Sequence, residues 1–340
     1  MKKTLIGILK VVVPLGLGIW LVLYFYRQLD PTQRAELFDA FARANWWWLL
    51  ISILFGWMSH MSRAWRWRYL LDSMGYRPGF WNCYHATMSG YFMNLLIQRA
   101  GEASRAALLY RREKVPFVKG FGSIMAERAV DMILLIGLFG LTILLQFDKL
   151  DLFQERIAAF RADQGPGEAS GFPWLWVVLG LITVAIGVGV YLMLTRPAIH
   201  ARVMETLRGL GEGIRSVTRT RHPGGFIFHT FLIWFLYVLM FAVGFYCLPE
   251  TSTVSWAGIM AGFVAGAIGI VLVQGGIGVY PAFVALIVSI YMPAPEGGGL
   301  LRPEALAMGW LIWVAQTVMT IVLGGLSLLL ISRTPKPSET

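Results

Sequence analysis

The chain has 340 residues, of which 57% are hydrophobic and only 14% charged, with a mean hydropathy of +0.63. A soluble protein of this size carries about 25% charged residues, and several apolar runs reach the roughly 20 residues that a helix needs to cross a ~30 Å hydrocarbon core. The composition therefore excludes a soluble enzyme and predicts an all-α, polytopic membrane protein. A β-barrel is excluded as well, because its segments are about ten residues long and alternate in polarity. The net charge of +10 follows from the excess of Lys and Arg on cytoplasmic loops, and nucleic acid is not expected as a partner.

In chain order, Met1-Lys2-Lys3 precedes a first span over about Leu5 to Tyr26. That run is too long for a signal-peptide core and is read as retained. Asp30 to Arg43 places Leu37, Phe38 and Phe41 for one face of a short surface helix. Asn45-Trp46-Trp47-Trp48 opens a second span that continues to about Met61, and three consecutive tryptophans mark a membrane interface. Arg63 to Leu71 interleaves arginines with aromatics, the pattern of a helix lying at a charged interface with its arginines toward lipid phosphates.

Gly79 to Ile97 is apolar yet carries Asn82, His85, Thr87, Ser89 and Asn94, with arginines on both sides. Positive charge at both ends puts both ends on one side of the membrane, which makes this a re-entrant segment. The passage Asn94 to Asp131 then holds seven basic and four acidic residues. Charges at bilayer depth face a bundle interior, a water-filled cavity or one another, so Arg99, Glu102 and Arg105, followed by Glu127, Arg128 and Asp131, are the candidate functional residues. Glu102 with Arg105, and Arg128 with Asp131, stand three apart and are expected to pair along their own helices. A third span runs from about Ala129 to Phe147.

Asp148 to Gly171 reads as an exposed acidic loop. A fourth span follows over Phe172 to Leu194, and then a basic surface helix over Arg196 to Arg221. Gly225 to Leu248 is a fifth span. Trp256 to Tyr291 is broken by glycines and by Q-G-G-I-G-V-Y-P, Gln274 to Pro281, and is expected to be a second hairpin that enters and returns. Pro303 to Ile331 is the last span, and the tail from residue 333 is expected to be disordered. With both broken elements re-entrant, most of the 29 Lys and Arg lie inside and both termini are cytoplasmic. The chain then reads as a single transmembrane domain, residues 1–332, whose halves 45–147 and 225–331 echo one another with opposite orientation. Inverted repeats with interrupted helices are a transporter pattern.

The residues Ala64 to Leu71 (A-W-R-W-R-Y-L-L), Asn94 to Arg105 (N-L-L-I-Q-R-A-G-E-A-S-R), Glu127 to Asp131 (E-R-A-V-D) and Gln274 to Pro281 together resemble the lysylphosphatidylglycerol synthase/flippase transmembrane family. Two positions depart from its pattern: Gln274 stands where a proline precedes the double glycine, and Pro281 where an acidic residue closes the loop. The family's best-known members add a soluble aminoacyl-transfer domain, for which these 340 residues leave no room. The resemblance therefore implies movement of a phospholipid or polyprenyl-linked lipid across a bacterial cytoplasmic membrane, and not its lysylation.

For a phosphate-bearing head group, Arg99, Arg105 and Arg128 are the expected phosphate ligands, since a guanidinium fork binds phosphate oxygens bidentately. Glu102 and Glu127 would balance these arginines in the empty state, with Asp131 one turn beyond Glu127. Asn94 either hydrogen-bonds a head group or caps the break in its segment. Gly275, Gly276 and Gly278 either present backbone N–H groups to an anion or permit close helix packing. His85 is a candidate polar lining residue, while His60, His200, His222 and His229 look interfacial. Cys83 and Cys247 are expected as buried apolar residues.

Neither metal-ligand spacing nor a nucleophile motif or nucleotide loop is visible, so no cofactor and no metal are expected. Two rival readings are a membrane-embedded transferase with Glu127 or Asp131 as general base, and a non-transporting partner of an envelope-lipid synthesis enzyme. The expected partners are membrane lipids, anionic ones foremost, and an oligomer is compatible with the sequence.

Overall fold

A computed structural model describes residues 18–27, 29–97, 100–149, 220–293 and 301–333, together with positions 16, 155, 195–197, 201 and 204. The fourth predicted span, the acidic loop beyond position 149 and nearly all of the basic surface helix lie outside the described residues, as do Arg99, most of the first span and the tail. The described part is all-α, with no strand among those residues.

Helix α1 covers residues 18–27 and α2 covers Pro31–Arg43. Asp30 starts α2 with a reciprocal cap: its carboxylate accepts from the Gln33 backbone N–H at 2.8 Å, and the Gln33 side chain accepts from the Asp30 N–H at 3.2 Å. Leu37 is buried as expected, whereas Phe38 faces outward at 59% exposure. Asn45 caps α3, Trp46–Ser73. At 28 residues this helix does not stop near Met61 but runs on through the Arg-Trp stretch.

Two helical hairpins follow the same plan. α4, Phe80–Leu96, folds back through a short break into α5, Ala100–Glu113. The base of this hairpin is tied by Glu113, whose Oε1 accepts from the Gly79 N–H at 2.9 Å and from the Asn82 amide at 2.5 Å. Near its tip the Asn94 Oδ1 accepts from the Gly101 N–H at 2.7 Å. The second hairpin, α8 (Trp256–Leu272) and α9 (Val279–Ile290), is preceded by α6, Phe117–Gln146, and α7, Pro223–Gly244. Gly258, Gly262, Gly266 and Gly269 form one stripe of α8 against α9. A Cβ at Gly269 would lie 3.0 Å from the Tyr280 Cα, and one at Gly266 2.6 Å from the Tyr280 ring, so backbone proximity requires small residues here. Helix α10, Pro303–Arg333, closes the chain.

The packing fixes directions. One core gathers the starts of α3 and α10 with the end of α7 and much of α9, through Leu49, Phe241, Phe245, Val284, Met308 and Ile312. The other gathers the ends of α3 and α10 with α4, α5 and the first half of α6, through Trp67, Leu71, Met88, Leu109, Ile124 and Ile331. Helices α3 and α10 are therefore parallel. α7 runs antiparallel to α3, with the Ser52 hydroxyl donating to the Met240 carbonyl at 2.8 Å and Ser62 meeting the His229 ring at 2.8 Å. The two hairpins enter from opposite ends, and their tips meet where Leu95 lies against Gly275.

α6, α10 and the run Pro223–Cys247 are long and apolar enough to cross a membrane. Met132, Ile136, Phe139 and Ile143 of α6 are exposed on one face, while Gly120, Ser123, Glu127 and Asp131 are buried on the other. That division, apolar outside and polar inside, suits a lipid solvent. None of the four hairpin helices, with 17, 14, 17 and 12 residues, reaches the roughly 20 residues of a full span.

Candidate functional site

Helix α6 presents Glu127 and Asp131 one turn apart on its buried face, and α3 presents Arg63 and Arg66 three apart on the face toward them. The guanidinium of Arg66 grips Asp131 through two nitrogen–oxygen contacts, 2.7 and 3.1 Å, and Arg63 adds a third at 2.6 Å. Arg63 and Arg66 are 2% and 0% exposed. This corrects the expectation that the Arg63 to Leu71 stretch lies at the membrane surface with its arginines toward lipid phosphates. Helix α3 continues unbroken from Trp46 through the Arg-Trp stretch to Ser73, so its inward face stays in the bundle, and both arginines find a carboxylate there.

The expected pairing along single helices is also corrected. Arg105 on α5 reaches Glu127 on α6 at 2.9 Å, and Arg128 on α6 reaches Glu102 on α5 at 3.0 Å. The pairs thus cross between helices and bind the first hairpin to α6. An inter-helix pair brings opposite charges together while each side chain fills the space between the helices; a pair along one helix leaves that seam empty.

The result is one buried network. Asp131 is held by Arg63 and Arg66; the Arg66 Nε stands 3.5 Å from Glu127 Oε1, and Glu127 in turn holds Arg105. Arg105 also stacks on Trp67, its guanidinium carbon 3.8 Å from the ring centroid, and the Trp67 indole N–H donates to Ser123 at 2.8 Å. Deleting one member of such a buried pair costs about 3–5 kcal/mol, because the survivor is left uncompensated.

Beside this network a small, half-open cleft lies between α4, α5 and α6, its enclosed part about the size of one water molecule. Thr87, Gly90, Tyr91 and Asn94 of α4 form one wall, Glu102 and Arg105 of α5 another, and Arg128 of α6 stands opposite. Gly90 lets the hairpin arms approach, since a Cβ there would sit 2.8 Å from the Gly101 carbonyl oxygen. Arg105 is only 5% exposed, and among the described residues its Nε and Nη2 have no hydrogen-bond partner. Arg105 lines the cleft, and unpartnered N–H donors on a buried, charged side chain are the kind of group that an anion satisfies.

The sequence candidates thus fall into three sets. Asn94, Glu102, Arg105 and Arg128 meet at the cleft, and Glu127 and Asp131 stand in the network behind it. The glycine loop is elsewhere. Gly275, Gly276 and Gly278 all have φ near +65 to +71°, a region open to glycine; Gly278 lies against the Gly18 carbonyl of α1, and the Gly275 carbonyl accepts from the Trp313 indole at 2.7 Å. Close packing is what the described geometry gives this loop. Arg99 lies outside the described residues. Asn94 does cap the break, through Gly101, and it lines the cleft as well.

Residues missed from sequence are Arg63, Arg66, Trp67 and Tyr91. The signal was available for the arginines: spaced three apart, they share a helical face with Ser59 and Ser62. His60, expected at an interface, is buried against Tyr91 with ring centroids 4.5 Å apart, while His85 meets the Ser327 hydroxyl at 3.0 Å. Cys83 and Cys247 are both free and buried, as expected.

Fold and site together define a polytopic all-α membrane protein with a charged interior and a cleft edged by arginines. The model of the lysylphosphatidylglycerol synthase TM region matches residues 8–324, and the chain belongs to that family. It is accordingly a membrane protein of lipid synthesis or flipping. Comparison with curated proteins and with solved structures finds no match to either.

Proposed function

We propose that the protein moves a phosphate-bearing lipid head group across a bacterial cytoplasmic membrane, with the cleft of Asn94, Glu102, Arg105 and Arg128 as the head-group site. The observation that carries this reading is Arg105: a buried residue of the cleft wall, paired once to Glu127, with two of its nitrogens unpartnered. A charged group in the middle of ~30 Å of hydrocarbon is costly in the absence of polar partners. A guanidinium held rigidly by Trp67 and Glu127 replaces lost hydration while the acyl tails stay in lipid. Glu127 and Asp131 act indirectly, by holding Arg105, Arg63 and Arg66 in place.

In this reading the two hairpins are re-entrant, the α4–α5 hairpin from the cytoplasm and α8–α9 from outside. They are the interrupted elements of an inverted repeat, residues 45–147 and 225–331, within one transmembrane domain. Their opposite directions of entry, their length below a full span and the contact of Leu95 with Gly275 all support it. Both termini then face the cytoplasm, and anionic membrane lipids are the partners.

The test is translocation of a tail-labelled phospholipid in vesicles holding the purified protein. Wild type is expected to accelerate it over protein-free vesicles, and an Arg105→Ala, Glu127→Gln double variant to abolish the gain. Equal rates for the two proteins would remove the proposal.

A further inference from the structure

The two acidic partners of the cleft arginines differ in a way that assigns them different roles. Glu127 is 1% exposed and stands between Arg105 at 2.9 Å and Arg66 Nε at 3.5 Å. Removing it would strand both guanidinium groups in the bundle. Glu102 lies in the cleft wall, 20% exposed, with a single ion pair to Arg128, whose side chain is 41% exposed. This pair is more open than Arg105 with Glu127, at 5% and 1% exposure, and is the more easily exchanged of the two.

The charge count points the same way. Among the described residues the network and cleft hold four guanidinium groups, of Arg63, Arg66, Arg105 and Arg128, against three carboxylates, of Glu102, Glu127 and Asp131. One positive charge is in excess; Arg63 and Arg66 each keep an unpartnered Nε in the network, and of the two arginines that line the cleft it is Arg105 that has unpartnered buried nitrogens, Nε and Nη2. A singly charged anion in the cleft balances this described set.

We infer that Glu102 is a tethered competitor for the ligand: in the empty protein its carboxylate occupies Arg128, and a singly charged phosphate diester displaces it, lodging between Arg128 and the free N–H groups of Arg105. This rests on the head-group site proposed above and adds to it a ligand charge and an exchange step. Displacement keeps Arg128 paired before and after binding, so the entering phosphate never meets a bare cation, nor does the departing one leave one behind. The exchange makes the site reversible, as a carrier requires: an anion held by two arginines with no competitor would bind tightly and leave slowly.

The experiment measures equilibrium binding of short-chain phosphatidylglycerol to the purified full-length protein in neutral detergent. Diacylglycerol, short-chain phosphatidic acid and inorganic phosphate serve as comparison ligands. Glu102→Gln is expected to bind phosphatidylglycerol about two- to tenfold more tightly than wild type, the range set by the loss of a partly exposed ion pair. Glu102→Asp, with its shorter reach, should shift in the same direction and serves if the glutamine variant does not fold. Arg128→Gln should bind more weakly, and adding Glu102→Gln to it should restore nothing, since the competition acts through Arg128.

A gain from Glu102→Gln that persists without Arg128 would mean general repulsion of anions and would overturn the exchange. Unchanged or weaker binding by Glu102→Gln would overturn it too. Phosphatidic acid binding more tightly than phosphatidylglycerol would overturn the assigned charge, and inorganic phosphate competing as well as the lipid would overturn the lipid source. If wild type translocates phospholipid in vesicles while Glu102→Gln gains no affinity, only the exchange falls. If wild type neither binds nor translocates it, the head-group site falls with it.

Discussion

Arg66 of α3 and Asp131 of α6 meet through two nitrogen–oxygen contacts, 2.7 and 3.1 Å long, and Arg66 is wholly buried. Asp131 is also the only carboxylate on Arg63 among the described residues. Asp131→Ala therefore leaves two buried guanidinium groups short of a partner. It is expected to destabilise the fold by about 3–5 kcal/mol, read as a large fall in thermal unfolding temperature in detergent. Asp131→Glu, which keeps the charge, should lose much less. Equal stability of the alanine variant and wild type would show that the network does not hold α3 to α6.

The stripe of glycines on α8 gives a second expectation. Gly269→Val places its side chain against the Tyr280 backbone, 3.0 Å from a Cβ to the Tyr280 Cα; backbone yields less readily than a side chain. A loss of about 1–3 kcal/mol is expected from the forced separation of α8 and α9. Gly140→Ala on α6 meets nothing within 4 Å and should hold stability or raise it by up to about 1 kcal/mol through helix propensity. Paired melting curves of the two variants check this, and equal losses would contradict the close hairpin.

Orientation has its own measurement. Thr253 and Arg77 are exposed at opposite ends of the bundle. With Cys83 and Cys247 replaced by alanine, Thr253→Cys is expected to react with an impermeant maleimide in intact cells. Arg77→Cys should react only after permeabilisation. The reverse pattern would invert the proposed topology, and reaction of both from outside would break the two-ended arrangement of the hairpins.

Much of this architecture is legible in the sequence. The all-α membrane class follows from hydropathy alone, and the capping box at Asp30 is visible as Asp-Pro-Thr-Gln. Both hairpins show as apolar segments interrupted by polar residues or glycines. What local patterns do not carry is the choice of partner across helices. Spacing of three residues allows Glu102 to meet Arg105 and Arg128 to meet Asp131, and nothing in the chain states that α5 and α6 pack so that the pairs cross. The Arg63 to Leu71 stretch misleads for a related reason. Interleaved arginines and aromatics have the composition of an interfacial helix, and only the continuation of α3 to Ser73 turns Arg63 and Arg66 inward. Arg68 is half-buried, stacked on Trp65, with its Nε donating to the Pro78 carbonyl at 3.1 Å.

If Arg105 selects and carries a phosphate head group, the protein shows head-group selectivity in vesicles. Tail-labelled phosphatidylglycerol and a tail-labelled neutral glycolipid of similar size are compared in vesicles holding wild type or Arg105→Ala. Wild type is expected to move the phosphate-bearing lipid at least about tenfold faster than the neutral one, a factor equivalent to about 1.4 kcal/mol, and Arg105→Ala to erase the preference. An equal rate for both lipids in wild type, or a preference that survives Arg105→Ala in a folded protein, would contradict that role of Arg105.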